Sequence, residues 1–254
     1  MSFETLLVES TALTVSITIN RPERANSINA TLLRELNAAL DEAERISTCR
    51  MILLRGGAGV FCTGMDFVEI AGESESQMAA ADYMAILKRL ASSPKTIVAV
   101  VDGKVMAGGV GLVAASDLVL ATSRSVFSLS EALWGILPCC VVPFLIRRVG
   151  FQQAYAMTMT TRTLSVAEAL NHHLVDEVTD ELDEALRRLS LRLGRLTDET
   201  VVELKSYFQK MWMLTPEMEQ TAVTEIGRLL NKPTVREGIA NFVNAGRFPW
   251  EVSS

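Results

Sequence analysis

The sequence has a deficit of positive charge and no long hydrophobic run. Its 254 residues include 24 Lys and Arg against 30 Asp and Glu, which gives a formal net charge of -6. A nucleic-acid-binding surface needs cations to neutralise phosphates, so we expect no nucleic-acid partner. Asp102 ends the apolar run Ile97–Val101, and Arg147 ends the one after Leu137. Neither reaches the roughly 20 residues of a membrane span, so we expect no membrane association.

Histidine and cysteine are also scarce. The only two histidines, His172 and His173, are adjacent and therefore face different directions, so we interpret them as structural. The start of the chain lacks a basic region followed by an apolar segment, which predicts a cytoplasmic protein. We expect no metal and no cofactor. The four cysteines show neither metal-ligand spacing nor a disulfide framework: Cys49, Cys62, Cys139 and Cys140.

The hydrophobic pattern predicts an α/β fold. Two strands at 3–9 and 13–19 are expected to form a hairpin, and an amphipathic helix should run from Asn29 or Thr31 to about Ile46. Apolar runs separated by helices favour a mainly parallel sheet covered on both faces. These predicted strands are 51–54, 97–101 and 118–121.

The rear of the chain is expected to be almost wholly helical from Glu131 onward. Residues 72–80 offer little apolar surface and predict a mobile loop, which leads into a helix at about 77–91. A helical extension after a β-rich front half must pack on its own core or on a neighbouring subunit. The predicted tail helices are 181–194, 198–213, 216–230 and 234–245.

Three segments carry possible chemistry: 61–66, 104–111 and 127–138. In the first two, glycine lies where a strand gives way to a helix, so backbone N–H groups can converge on one oxygen as an oxyanion hole. The alternative is that these glycines only form tight turns. A dinucleotide site is disfavoured, because Gly108-Gly109-Val110-Gly111 does not fit G-x-G-x-x-G.

Together, these motifs resemble the crotonase (enoyl-CoA hydratase/isomerase) superfamily over nearly the whole chain. The resemblance implies a crotonase-type ββα spiral core at 1–195 and a C-terminal helical trimerisation region at 196–254. It also implies acyl-thioester substrates whose oxygen is bound by the N–H groups of Met65 and Gly108, with close backbone approach needed at Gly108. The matching segments are Ile19–Glu23, Asn26–Asn29, Phe61–Asp66, Ala107–Asp117, Phe127–Glu131 and Gly135–Pro138.

The main departure from the family is at Gly111. Two-glutamate hydratases of this family carry their first glutamate there, whereas only the second, Glu131, is present in this chain. One carboxylate must then handle the proton, and an apolar surround of Leu129, Leu133 and Trp134 is expected to raise its pKa. The alternative for Glu131 is an acidic residue in a helical first turn capped by Ser130.

Further candidates have structural alternatives. Asp66 is either a helix cap or a second proton-transfer group, Tyr83 either a hydroxyl donor or a core residue, and Cys139 either a pocket residue or a small apolar one. Four basic residues are candidate contacts for the carrier or thioester and otherwise solvated surface: Arg24, Lys104, Arg147 and Arg148.

Within the superfamily, the sequence is similar to dehydratases of polyketide β-branching cassettes. The resemblance implies removal of water from a 3-hydroxy-3-methylglutaryl thioester on an acyl carrier protein, by a homotrimer or a dimer of trimers. A Δ3,Δ2-enoyl-CoA isomerase, a general enoyl-CoA hydratase and a noncatalytic carrier-binding subunit remain alternatives. The segments concerned are Gly103–Val105, Phe127–Glu131, Pro143–Arg148 and Gly246–Glu251.

Overall fold

The computed structural model describes residues 3–72, 76–212 and 214–251. Its strands are β1 (Leu6–Ser10), β2 (Thr14–Ile19), β3 (Met51–Gly56), β4 (Val60–Cys62), β5 (Thr96–Val101), β6 (Lys104–Met106), β7 (Leu118–Ala121), β8 (Val126–Ser128), β9 (Leu164–Ser165) and β10 (Glu177–Val178). The helices are α1 (Ala30–Arg45), α2 (Phe67–Gly72), α3 (Ser76–Ser92), α4 (Gly108–Ala115), α5 (Val142–Val149), α6 (Phe151–Thr160), α7 (Val166–Asn171), α8 (Leu182–Leu193), α9 (Asp198–Met211), α10 (Pro216–Leu230) and α11 (Pro233–Ala245). Within these ranges, no helix combines the length and the apolar character needed to cross a membrane.

The strands form one large and one small sheet. The large sheet has the order β1-β2-β3-β5-β7-β10, and the small sheet has the order β4-β6-β8-β9. Pairing is antiparallel for β1 with β2 and for β8 with β9, and parallel elsewhere. The predicted hairpin and the mainly parallel sheet are therefore confirmed.

Three successive strand pairs place the functional segments. In each of β3-β4, β5-β6 and β7-β8, the first strand joins the large sheet and the second joins the small one before the chain turns helical. Because β4, β6 and β8 are parallel neighbours, they end at the same edge of the small sheet. The segments that follow them in the sequence are brought side by side at that edge.

The central strands β3, β5 and β7 of the large sheet are largely buried on both faces. On one face lies α1, whose Asn29 side chain accepts a hydrogen bond from the Leu32 N–H at 2.8 Å and caps the helix. Its buried stripe is the predicted one: Leu32, Leu33, Leu36, Ala39, Leu40 and Ala43. On the opposite face, Ala185 and Leu186 of α8 pack with Met51, Leu53, Val98, Val100 and Leu120.

Two sequence predictions about secondary structure need correction. The loop predicted at 72–80 is wrong at its far end, because α3 already begins at Ser76; residues 73–75 lie outside the described residues. The rear half also contributes two short strands, β9 and β10, which extend the small and the large sheet respectively. Two-residue strands leave too short a pattern for periodicity to reveal them.

The start of α4 lies against the end of β4. A Cβ atom built on Gly109 would lie 2.4 Å from the backbone oxygen of Cys62, a distance that backbone atoms do not tolerate. A Cβ atom on Gly108 would lie 3.1 Å from the flexible end of Ile28, 3.4 Å from Tyr83 Oη and 3.5 Å from the Gly64 Cα. The packing of α4 against β4 therefore depends on Gly109, whereas the close approach of Gly108 to a bound thioester stays a prediction.

We expect Gly109→Ala to lower the free energy of unfolding by about 3 kcal/mol, because the added methyl group forces α4 away from β4. Gly108→Ala is the matched control and should cost less than about 1 kcal/mol, since only a side-chain end must move. Denaturant unfolding measures both values. Equal losses of unfolding free energy in the two variants would contradict this explanation of how α4 packs against β4.

Candidate active site

Met65 follows β4 and presents its N–H group to the small-sheet edge. The Ile28 N–H donates to the Gly64 oxygen at 2.7 Å, and the Asp66 N–H donates to the Ile28 oxygen at 2.9 Å. In this parallel bridge, the intervening Met65 N–H points away from Ile28. Among the described residues it has no acceptor, so it is available to a ligand oxygen.

Gly108 follows β6 and presents a second free N–H group. It is the first residue of α4, where a backbone N–H has no acceptor within the helix. The preceding Ala107 has φ 48 and ψ -122, a strained conformation for an L residue that sets the orientation of the Ala107–Gly108 peptide. A Cβ atom on Gly64 would lie 3.0 Å from the Gly108 nitrogen. The two donor segments are thus in contact, as an oxyanion hole requires.

Glu131 follows β8 and carries a buried, incompletely bonded carboxyl group. It opens the 3₁₀ helix Glu131–Trp134, is 7% exposed, and has no hydrogen-bond partner for Oε2 among the described residues. Burial raises the pKa of Glu131 to about 7, against an opposing effect of its own and the Ser130 backbone N–H groups. A carboxyl group with this pKa can take up and release a proton near neutral pH.

The predicted surround of Glu131 is correct only in part. Leu129 and Trp134 are buried, but Leu133 is 42% exposed and contributes little to the burial. Ser130 precedes the 3₁₀ helix without a side-chain capping bond, so the expected serine cap is wrong. The tight 3₁₀ turn rotates Leu133 outward, a direction that an α-helical pattern does not predict.

Aromatic side chains from three distant segments cover Trp134, which the sequence analysis missed. Its ring lies 4.7 Å from Phe67 of α2, 5.1 Å from Phe242 of α11 and 5.6 Å from Trp250, measured between ring centroids. Phe248 stacks on Trp250 at 4.8 Å. This aromatic cluster of five residues packs beside the 3₁₀ helix that bears Glu131 and helps to keep water away from it.

Asp66 does not present a free carboxylate to the pocket. One oxygen pairs with the Arg21 guanidinium at 3.0 Å and accepts from the Ser27 hydroxyl at 3.0 Å, while the other caps α2 by accepting from the Val68 N–H. The proton-transfer role considered for Asp66 is therefore corrected to a structural one. Its ion pair fixes the loop 21–27 beside the Met65 segment.

Tyr83 and Cys139 lie near the glutamate. The Tyr83 hydroxyl donates to the Gly108 oxygen at 2.5 Å, so this side chain reaches the start of α4. Cys139 is half-buried, and burial, with Glu225 and Glu131 adding to it, raises the pKa of its thiol to about 11. Cys139 is thus a neutral thiol at physiological pH.

Two of the four candidate carrier contacts are bonded to internal groups. Arg147 donates to the Ala114 oxygen at 2.7 Å and stacks over Trp212, while Arg148 donates to the Leu174 and Ser116 oxygens and pairs with Asp176. Both arginines satisfy carbonyls around the end of α4, which excludes the predicted role. Lys104 is exposed at the start of β6, the opposite end from Gly108.

Arg24 keeps its candidate role. It is exposed on the loop 21–27, where the Thr63 hydroxyl donates to the Ala25 oxygen at 2.9 Å. The loop therefore borders the Met65 segment. The two histidines lie elsewhere, after α7, where His172 Nδ1 bonds the Gln153 amide at 2.9 Å. No cluster of three possible metal ligands is found in the described part of the chain.

Two free N–H groups and a buried carboxyl group, on segments that follow neighbouring strands of the small sheet, are the features expected of an enzyme site that acts on acyl thioesters. The sequence matches the enoyl-CoA hydratase/isomerase family over residues 9–253. It is 37% identical to the bacillaene synthase dehydratase PksH of Bacillus subtilis, over 99% of this chain and 98% of that protein. It is 34% identical to a probable enoyl-CoA hydratase of Rhizobium meliloti, over 73% and 74%.

A crystal structure of a putative polyketide biosynthesis enoyl-CoA hydratase from Bacillus subtilis has the same fold, with a TM-score of 0.90 and 36% identity over 98% of this chain and 100% of that one. The chain therefore belongs to the enoyl-CoA hydratase/isomerase family and has the crotonase fold. It is a lyase-type enzyme of the hydratase/dehydratase class.

We expect Glu131→Gln to stabilise the protein above pH 7 by up to about 3 kcal/mol. The pKa of Glu131 is raised on folding from 4.5 to about 7, so the charged form is disfavoured in the folded state. The advantage of the neutral variant should be absent below pH 4.5, grow up to pH 7 and then stay constant. Urea unfolding across pH measures it.

Glu203→Gln is the matched control, since Glu203 lies exposed on α9 and should show no such pH-dependent gain. A Glu131→Gln variant that gains nothing at pH 8 would contradict the burial of an unpartnered carboxylate.

Proposed function

We propose that this protein dehydrates a 3-hydroxy-3-methylglutaryl thioester, delivered on an acyl carrier protein, to a 3-methylglutaconyl thioester. The observation that carries the proposal is the buried carboxyl group of Glu131, whose Oε2 has no hydrogen-bond partner among the described residues, together with the absence of a side chain at Gly111. The similarity to a protein named a bacillaene synthase dehydratase supports the direction of the reaction and a place in polyketide β-branching.

In the proposed mechanism, the Glu131 carboxylate removes a proton from C2 of the acyl group. Electrons move onto the thioester oxygen, and the N–H groups of Met65 and Gly108 stabilise the resulting enolate. The enolate collapses to a C2–C3 double bond while the C3–O bond breaks, and Glu131 returns its proton to the leaving hydroxide to form water. One group acts on both atoms, so proton and hydroxyl leave from the same face.

A Δ3,Δ2-enoyl-CoA isomerase is the second candidate. The same single carboxyl group is enough to move a proton between two carbons of one enolate, without a second acid. An assay with an unsaturated thioester that lacks a 3-hydroxyl group separates the two, because only an isomerase shifts its double bond. General enoyl-CoA hydration is measured in parallel by water addition.

An acyl carrier protein that delivers the substrate needs a cationic side chain near the site to contact its acidic surface. Acyl carrier proteins present an acidic helix, and Arg24 is exposed on the loop that borders the Met65 segment. Arg24 is the one predicted carrier contact that combines exposure with this position. We include it in the proposed carrier-binding surface.

We also propose that copies of this chain assemble as a trimer or a dimer of trimers. On α6, Phe151, Tyr155 and Met159 are spaced by four residues and are 66%, 53% and 64% exposed. Side chains at this spacing form one stripe on a helix. An exposed apolar stripe of this kind is typical of a surface that another copy covers.

Replacing Glu131 by glutamine should lower the dehydration rate at least about 100-fold, because it removes the only proposed acid–base group. In the wild type, kcat/KM should rise with pH to a plateau above about 7, since the carboxylate is the active form. Initial rates with the 3-hydroxy-3-methylglutaryl carrier protein measure both. Glu203→Gln should retain full activity, and a Glu131→Gln variant with more than about a tenth of the wild-type rate would refute the assignment.

The carrier is tested by comparing kcat/KM for the acyl group on carrier protein and on coenzyme A, at low and high salt. We expect preference for carrier protein at low salt, reduced several-fold at high salt, because exposed charges are screened. Arg24→Ala should reduce that preference at low salt, whereas Lys104→Ala should leave it unchanged. Equal efficiency on both carriers, independent of salt, would instead indicate coenzyme A substrates.

A further inference from the structure

The space beside Gly111 is occupied by a side chain from another helix. A Cβ atom on Gly111 would lie 2.1 Å from Tyr83 Oη, 3.2 Å from Tyr83 Cζ and 3.0 Å from Val141 Cγ2. Tyr83 belongs to α3, 28 residues earlier in the sequence. Its hydroxyl therefore lies where any side chain at position 111 would begin, and a glutamate at 111 is incompatible with Tyr83 in this position.

The chemistry of Tyr83 excludes a role as a replacement base. Burial raises the pKa of its hydroxyl well above the ordinary value, with Cys62, Cys140 and Glu131 adding to the effect. The group is thus uncharged at physiological pH. A neutral phenol has one proton to donate, and Tyr83 donates it to the Gly108 oxygen at 2.5 Å.

That hydrogen bond holds Gly108, the first residue of α4, whose N–H group must keep one orientation in the proposed site. Gly108 contributes a free N–H to the site, and the preceding Ala107 is held at φ 48 and ψ -122. A backbone in a sparsely populated region persists only when its surroundings hold it there. The Ala107 N–H donates to the Ser128 oxygen on one side, and Tyr83 holds Gly108 on the other.

We propose that Tyr83 is a positioning residue for the oxyanion hole, and that glycine is required at position 111 to admit its hydroxyl group. Tyr83 holds the Gly108–Gly109 peptide through its carbonyl oxygen and so restrains the adjoining Ala107–Gly108 peptide, whose N–H is directed at the thioester oxygen. This inference rests on the proposed use of the Gly108 N–H, and it gives Gly111 a function of its own rather than that of a lost glutamate.

The first test measures the oxyanion hole without turnover. Butyryl-CoA, which has neither a double bond nor a 3-hydroxyl group, is bound to the protein, and the stretching frequency of its thioester carbonyl is measured by infrared difference spectroscopy. Wild type should lower the frequency, and Tyr83→Phe should lower it less. In turnover, Tyr83→Phe should reduce kcat about tenfold or more while KM changes less than about threefold. Tyr207→Phe, the same change at an exposed site on α9, should match wild type.

The infrared and kinetic results distinguish the proposed oxyanion hole from the positioning role of Tyr83. A wild-type protein that leaves the bound carbonyl frequency unchanged would refute the proposed oxyanion hole itself. A normal shift in wild type that Tyr83→Phe reproduces in full, with unchanged kcat, would overturn only the role of Tyr83.

The second test asks whether Tyr83 and position 111 share one space. Gly111→Ala alone should reduce kcat/KM at least about 100-fold, because its methyl group overlaps the hydroxyl oxygen. In the Tyr83→Phe background the same change should cost less than about tenfold, since the remaining neighbours lie 3.0 and 3.2 Å away. Circular dichroism and thermal unfolding monitor the fold. The overlap is also supported if the double variant folds and Gly111→Ala alone does not. It is overturned if the losses of kcat/KM caused by the two changes multiply independently. If neither variant folds, the infrared result decides.

Discussion

The site depends on burying one carboxyl group without a charged partner. Glu131 lies behind Trp134 and the aromatic cluster, and its Oε2 atom has no hydrogen-bond partner in the described chain. The desolvation that raises its pKa to about 7 costs free energy in the folded state whenever the group is ionised. The same desolvation keeps a proton exchangeable near neutral pH. The aromatic residues of α2 and α11 pack against Trp134 at the end of the same 3₁₀ helix.

The second constraint is how closely helices approach strand ends. Oxyanion donors act through backbone N–H groups, so two chain segments must nearly touch without intervening side chains. Gly109 allows α4 to lie against the Cys62 carbonyl, and Gly64, at φ +87, lies against the Gly108 nitrogen. The buried Arg21–Asp66 ion pair then fixes the Met65 segment from the other side. Polar side chains around the site thus hold the backbone in place, and the backbone N–H groups are the ones that would bind the ligand oxygen.

The absence of a glutamate at position 111 does not leave the space beside it empty. The space that a carboxyl group at position 111 would need contains the Tyr83 phenol, which stays neutral and bonds to Gly108. The proposed site therefore separates two tasks: Glu131 moves the proton, while Tyr83 and the Arg21–Asp66 ion pair position the two donor segments. A single titrating carboxyl group suits a reaction in which the proton taken from carbon is returned to a neighbouring oxygen.

Local features could be predicted from the residue pattern alone. Continuous apolar runs identified β3, β5 and β7, the spacing of apolar residues identified the buried stripe of α1, and motif resemblance pointed to Glu131, Met65 and Gly108. Contacts between distant groups became evident only in the folded chain. It placed Tyr83 in the space beside Gly111, turned Arg147 and Arg148 inward to carbonyls at the end of α4, and brought Trp250 onto Trp134. Periodicity records which side of an element is buried, whereas the occupant of a given space depends on contacts between segments that are far apart in the chain.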